Sequence, residues 1–178
     1  MTGLVAFTVL VALVALERLA ELVVSTRNAA WSFERGGVES GRGHYPVMVA
    51  LHSGLLVAML VEAWVRRPDV GPLLAWSMLA LVLASQALRW WCIATLGRRW
   101  NTRVIIVPGL APVASGPYRL LPHPNYVAVV VEGVALPLVH AAWLTALVFT
   151  LANAALLVVR IRVEDAALRT LPGRLADA

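Results

Sequence analysis

The chain has 178 residues, of which 60% are hydrophobic and 14% charged, with a formal net charge of +5 and a mean hydropathy of +0.78. Soluble domains carry about 25% charged residues, so this composition excludes an ordinary water-soluble domain. It points to an all-α integral membrane protein, because lipid cannot satisfy exposed backbone N–H and C=O groups. The basic residues are all arginines, scattered between apolar runs without a sustained stripe; that excludes nucleic acid as a partner and favours the lipid bilayer. The lone cysteine, Cys92, excludes an internal disulfide and a multi-cysteine metal site.

About 20 apolar residues cross a bilayer, and five stretches qualify as predicted spans: 3–25, 45–64, 71–96, 125–141 and 143–161. The chain reads as a single transmembrane domain over 1–178, with no repeat and no low-complexity linker. The first arginine is Arg18, so the first span lacks the basic start of a signal peptide and is expected to be retained. The fourth span is short and contains Pro137, and almost nothing separates it from the fifth. These two are expected to form a C-terminal helical hairpin.

Arginine placement sets the predicted orientation. With the N-terminus outside, the inner segments hold Arg27, Arg35 and Arg42, then Arg98, Arg99, Arg103 and Arg119, then Arg160, Arg162, Arg169 and Arg174. Only Arg66 and Arg67 face outward. By the positive-inside rule this bias places the N-terminus outside the cell (inner) membrane and the "PHPNY" turn at the cytosolic face.

Within the spans each polar residue is a candidate, because it is expensive in lipid. Glu17, Arg18 and Glu21 share a helix face, either as an ion pair tying the first span to a neighbour or as a cavity wall. His52 reads as a packing histidine, and Gln86 and Arg89, three apart, can line one cavity. Glu132 lies two turns below Asn125 on the same face, as a cavity residue or as an interhelical hydrogen bond. Between spans three and four, "TRVIIVPG" reads as a short extended piece or turn. Pro124 suits the first position of the fourth helix, whose N-terminus favours a negatively charged ligand group. In "RIRVEDAAL", Arg160 and Glu164 share one face, and Arg162 and Asp165 another. Phosphate-binding glycine loops, the H-E-x-x-H zinc motif and the G-x-S-x-G elbow are all absent.

The segment "GPYRLLPHPNY", an apolar span pair and "RIRVEDAAL" together resemble the isoprenylcysteine carboxyl methyltransferase family. That family's hallmark is G-x-Y, then R-H-P-x-Y, then two helices and a paired acidic E-E. Gly116, Tyr118, His123, Pro124, Tyr126, Glu164 and Asp165 occupy those places, and the resemblance is clearest over a catalytic core of about 88–168. The first half, with "ERLAELVVSTRNAAW", "GRGHYP" and "GRRW", is similar to a small bacterial branch related to methyltransferases of alkylpyrone and alkylresorcinol polyketides.

The resemblance implies S-adenosylmethionine as cofactor, held near the cytosolic face by Gly116, Tyr118, His123, Pro124, Asn125, Tyr126, Arg160, Glu164 and Asp165. It implies His123 and Glu164 as catalytic residues and Arg119 and Glu132 on the substrate side. The implied acceptor is an amphipathic lipid-like or polyketide molecule methylated on a carboxylate, enol or phenol oxygen, with no metal and no obligate protein partner expected. Phospholipid N-methylation and a non-catalytic membrane protein that retains the fold are the alternatives. The chain departs from the pattern where Pro122 precedes His123 in place of arginine and where Asp165 replaces the second glutamate. It also ends within ten residues of Leu168, without the aromatic tail of the eukaryotic prenylcysteine enzymes, so a free lipid-like acceptor is favoured over a prenylated protein.

Overall fold

The computed structural model describes residues 2–171. Five helices account for most of them: α1 (Thr2–Phe33), α2 (His44–Arg66), α3 (Pro72–Leu96), α4 (Pro124–Leu138) and α5 (Trp143–Leu168). Two three-residue strands, β1 (Val38–Ser40) and β2 (Val104–Ile106), pair antiparallel with Glu39 opposite Ile105. The β-branched run read as a short extended piece is therefore β2, and the rest is the expected all-α membrane fold.

Of the five expected spans, α1, α2, α3 and α5 are long and apolar enough to cross a membrane, whereas α4 is shorter. Its 15 residues give a length of about 22 Å, less than a hydrocarbon core of about 30 Å. Pro124 opens α4 and Pro137 lies in its last turn. The chain then turns through residues 139–142, where Ala141 adopts a positive φ of 53°, and re-enters as α5. This is the expected hairpin. Gly133 lets the two helices meet closely, since a Cβ there would collide with the Phe149 ring.

The charged segment after the fifth apolar run stays helical to Leu168, and α1 continues to Phe33, eight residues past the apolar run. The reason lies in what those extra turns bind. Ser25 accepts from the Thr102 N–H at 3.0 Å, and the Asn28 amide donates to the carbonyls of Trp100 at 2.7 Å and Gly97 at 3.2 Å. The lower half of α1 thus satisfies the polar groups of the turn that follows α3. Met59, Ala63, Val82, Leu136 and Phe149 lie in the apolar core, where α2, α3, α4 and α5 meet.

Helix order places segments 34–43 and 97–123 and the end of α5 at one end of the bundle. Residues 67–71 and 139–142 lie at the other. At that far end α5 has no cap of its own. Glu62 of α2 supplies one, accepting from the N–H of Leu144 at 3.1 Å and from the N–H and hydroxyl of Thr145, both at 2.7 Å. Arg66 completes the group at 2.9 Å from the same carboxylate. Helix-start donors need such partners, since they have none within the helix. Hydrogen bonds to a burial-side carboxylate cost about 1–3 kcal/mol to leave unmade. Glu62→Ala is expected to lower the thermal unfolding midpoint in detergent by several degrees, and Glu62→Gln, which keeps an acceptor, by less.

Candidate functional site

Two polar clusters lie along α4, one at its first turn and one two turns deeper. The first forms because Pro124 starts the helix directly after His123, so the imidazole sits at the helix mouth and Tyr126 points across to α5. The Tyr126 hydroxyl donates to Glu164 at 2.5 Å. His123 Nε2 lies 3.2 Å from Asp165, and its Nδ1 lies 3.7 Å from Glu164. The His123 and Tyr126 rings stack at 5.5 Å with planes 24° apart. Glu164 and Asp165, adjacent on α5, thus grip the two aromatic rings from one side.

Arg160, one turn above Glu164, lies 5.8 Å from the Tyr126 ring centroid. It is only 6% exposed, donates to the Thr102 carbonyl at 3.0 Å and rests against Met48 Sδ. Among the described residues it forms no ion pair with a carboxylate. A buried guanidinium without an acidic partner is costly, which makes it a ready anchor for an anionic group. Asn125 adds a buried side-chain oxygen with no hydrogen-bond partner, at a helix start where Pro124 has no N–H and those of Tyr126 and Val127 already bond the His123 carbonyl.

Gly116 and Tyr118 form the wall toward α3. Gly116 has φ +54°, and a Cβ on it would lie 2.5 Å from Thr95 Oγ1 and 3.1 Å from Trp91 Nε1. Both the backbone conformation and the close approach therefore require glycine. Burial, and then the neighbouring Cys92 thiol, push the Tyr118 phenol above its ordinary range, so it stays a neutral hydrogen-bond donor. Arg119 ends the same turn but is exposed, away from the His123–Glu164 group.

The second cluster includes Glu132, which the structure separates from the mouth. Glu132 accepts from Arg89 Nη2 at 2.7 Å and lies 3.8 Å from Arg18. Arg18 also pairs with Glu21 at 2.8 Å and Glu17 at 3.2 Å. Gln86 donates to Glu17, as does the Trp90 indole at 2.5 Å. The two readings left open for Glu17–Arg18–Glu21 and for Glu132 thus converge: these residues form a charged seam joining α1, α3 and α4. His52 bonds the Met48 carbonyl at 2.9 Å and meets Phe149 edge-on, a packing histidine.

Sequence reasoning missed Met48 and Thr102, because a thioether and a backbone carbonyl carry no motif. It also missed Asn153, which is 3% exposed with an unpartnered side-chain oxygen and lies two turns above Arg160 on the same face of α5. A lone asparagine in "TLANAALL" gives little signal.

Removing one member of the seam would strand buried charge. Arg89→Met is expected to destabilise the protein by about 3–5 kcal/mol in a reversible detergent unfolding assay. Arg89→Met combined with Glu132→Gln is expected to recover part of that loss.

A profile of the isoprenylcysteine carboxyl methyltransferase family matches residues 78–170. The uncharacterized protein YpbQ of Bacillus subtilis (strain 168) is 35% identical over 164 residues, covering 92% of this chain and 96% of that protein. No solved structure gives a significant match.

Proposed function

The chain belongs to the isoprenylcysteine carboxyl methyltransferase family, a family of membrane methyltransferases, and from that premise we propose an S-adenosylmethionine-dependent O-methyltransferase. Its acceptor is the carboxylate, enol or phenol oxygen of a lipid-like small molecule. The observation that carries this reading is the convergence of Tyr126, Glu164 and the acid-free, buried Arg160 at the mouth of α4.

The residues present match the groups of the cofactor. Arg160 suits its carboxylate. Glu164 and Asp165 suit its ammonium, its sulfonium or the ribose hydroxyls, and the Asn125 oxygen offers one further acceptor. When bound, the cofactor supplies a methyl carbon that an acceptor oxygen attacks in line, the C–O bond forming as the C–S bond breaks to leave a neutral thioether.

The protein's contribution is mainly placement. Tyr126 fixes the Glu164 carboxylate through its hydroxyl. Asp165 orients His123, and an Nε2–H donated to Asp165 leaves Nδ1 free to accept a proton from a phenolic or enolic acceptor. A carboxylate acceptor arrives ionised and needs no such step. The oily faces of α4 and α5 keep water from the reacting atoms and admit the acceptor from the bilayer. The arginine bias supports a cytosolic site with the N-terminus outside the cell membrane, where the cofactor is available. Pro122, standing where the family has arginine, leaves Arg160 as the buried cation beside this mouth.

Calorimetric or radiolabel binding of S-adenosylmethionine to detergent-purified protein tests the reading. Arg160→Met and Glu164→Ala are expected to weaken binding at least tenfold, and Tyr126→Phe about tenfold, from a lost hydrogen bond to a charged group worth about 1.5–3 kcal/mol. No binding by the wild type would sink the enzyme reading. Methyl transfer to a phospholipid amine in place of an oxygen acceptor would replace the proposed substrate class.

A further inference from the structure

At the end of the bundle opposite the candidate site lies a cavity of about 620 Å³. It opens between the first turns of α1, the end of α2, the start of α3 and the turn between α4 and α5. Its size falls among sites that hold small molecules, about 300–1,000 Å³. Leu4, Phe7, Leu10 and Leu79 give it a largely apolar wall. The length of α4, about 22 Å, separates it from His123, so it is no part of the methyl-transfer mouth.

Three polar side chains interrupt that wall. His140 is 9% exposed and packs edge-on against Phe7 at 5.3 Å. Its Nδ1 is buried without a hydrogen-bond partner. Since Nδ1 is shut off from solvent, the ring meets the cavity through its other edge, whose Nε2 can donate to an acceptor there. At the rim stand Arg67 and Asp69, two residues apart in the chain. The nearby acid Glu62 is already taken by Arg66 and the start of α5, and Arg67 donates only to the Trp64 carbonyl, at 3.3 Å. Among the described residues neither Arg67 nor Asp69 forms an ion pair. Among the described residues the rim therefore presents one cation and one anion outside any ion pair, two positions apart in the chain.

Two further features suit a bilayer interface. The indoles of Trp64 and Trp76 flank the opening, as indoles do at the headgroup level. Arg67 and Ala141, beside His140, are the two non-glycine residues at positive φ among the described residues. Arg67 does so as the left-handed cap that ends α2, its N–H bonding the Ala63 carbonyl, which fixes the rim at this point.

We propose that this cavity binds one zwitterionic phospholipid bearing a primary amine, drawn from the leaflet it faces. One acyl chain fills the apolar wall, the ester carbonyl accepts from His140, the phosphate pairs with Arg67 and the ammonium pairs with Asp69. The paired charges at the rim favour this head over an anionic one, which Asp69 repels. They also favour it over a quaternary ammonium, which cannot donate a hydrogen bond to Asp69. The lipid is a resident and not the methyl acceptor, because it sits at the far end of α4. It fills the space between the first turns of α1 and the start of α3.

Native mass spectrometry of delipidated protein in mild detergent tests this, with phosphatidylethanolamine, phosphatidylglycerol and phosphatidylcholine added in turn at equal concentration. Retention of one phosphatidylethanolamine per chain, about tenfold over the other two, is expected. Asp69→Asn, at the surface, is expected to abolish the preference over phosphatidylglycerol. His140→Phe, which keeps the packing on Phe7, is expected to weaken retention severalfold, and Ala75→Trp, which fills the cavity, to abolish it. Equal retention of all three lipids by the wild type, or a preference unchanged by Asp69→Asn and His140→Phe, would mean annular lipid only and overturn the proposal. Should Ala75→Trp fail to give a monodisperse protein, the other two variants decide. All three positions lie outside the S-adenosylmethionine site, so cofactor binding by the same preparations reads the two proposals separately.

Discussion

The 2.7 Å contact between Arg89 and Glu132 is the constraint around which the bundle is arranged. In a lipid environment a charge has no water to fall back on, so each must find its partner inside the protein. Glu17, Arg18 and Glu21 on α1, Gln86, Arg89 and Trp90 on α3, and Glu132 on α4 pair with one another across three helices, although Arg18 Nε, Arg89 Nε and one Glu21 oxygen keep no hydrogen-bond partner. This fixes the rotation of each helix about its own axis, because turning any one by a third of a revolution would bury a charge against lipid. Apolar packing alone would leave that rotation poorly determined, as leucine and valine faces are nearly interchangeable against lipid tails.

The rotation of α4 set in this way decides what its first turn presents. Glu132 inward means Asn125 on the same face two turns earlier, and Tyr126 one step round toward α5. Tyr126 then meets both Glu164 and the Arg160 guanidinium. The seam and the candidate site are therefore mechanically linked without touching, through one short helix of 15 residues.

Much of this was legible in the sequence, because scarcity of charge marks helices in lipid and a proline before an apolar run marks a helix start. The five helices, the hairpin, Pro124 at its first position and the extended run at Val104–Ile106 follow from such local signals. The run of α1 to Phe33 was not legible, since Ser25, Arg27 and Asn28 look like a chain leaving the membrane. They stay helical because Ser25 and Asn28 serve a turn 69 to 77 residues further along the chain. Glu62 as the cap of α5, and Met48 and Thr102 beside Arg160, escaped for the same reason. Each is a partnership across the fold with a group that has no sequence signature of its own. The pairing of Glu132 with Arg89 lay between the two cases: both residues stood out as charges in lipid, but nothing local joined them.

The ribbon of β1 and β2 has a wider implication. The family profile covers residues 78–170, which takes in β2 but leaves out β1, and takes in Arg160 but leaves out Met48. The matched half thus ends in an unpaired strand edge and a guanidinium with half its cradle gone. It is one face of a joint whose other face is α1, β1 and α2. Sequence drift in the first half, where the family's signature residues do not lie, can therefore shift how Arg160 of the second half is held.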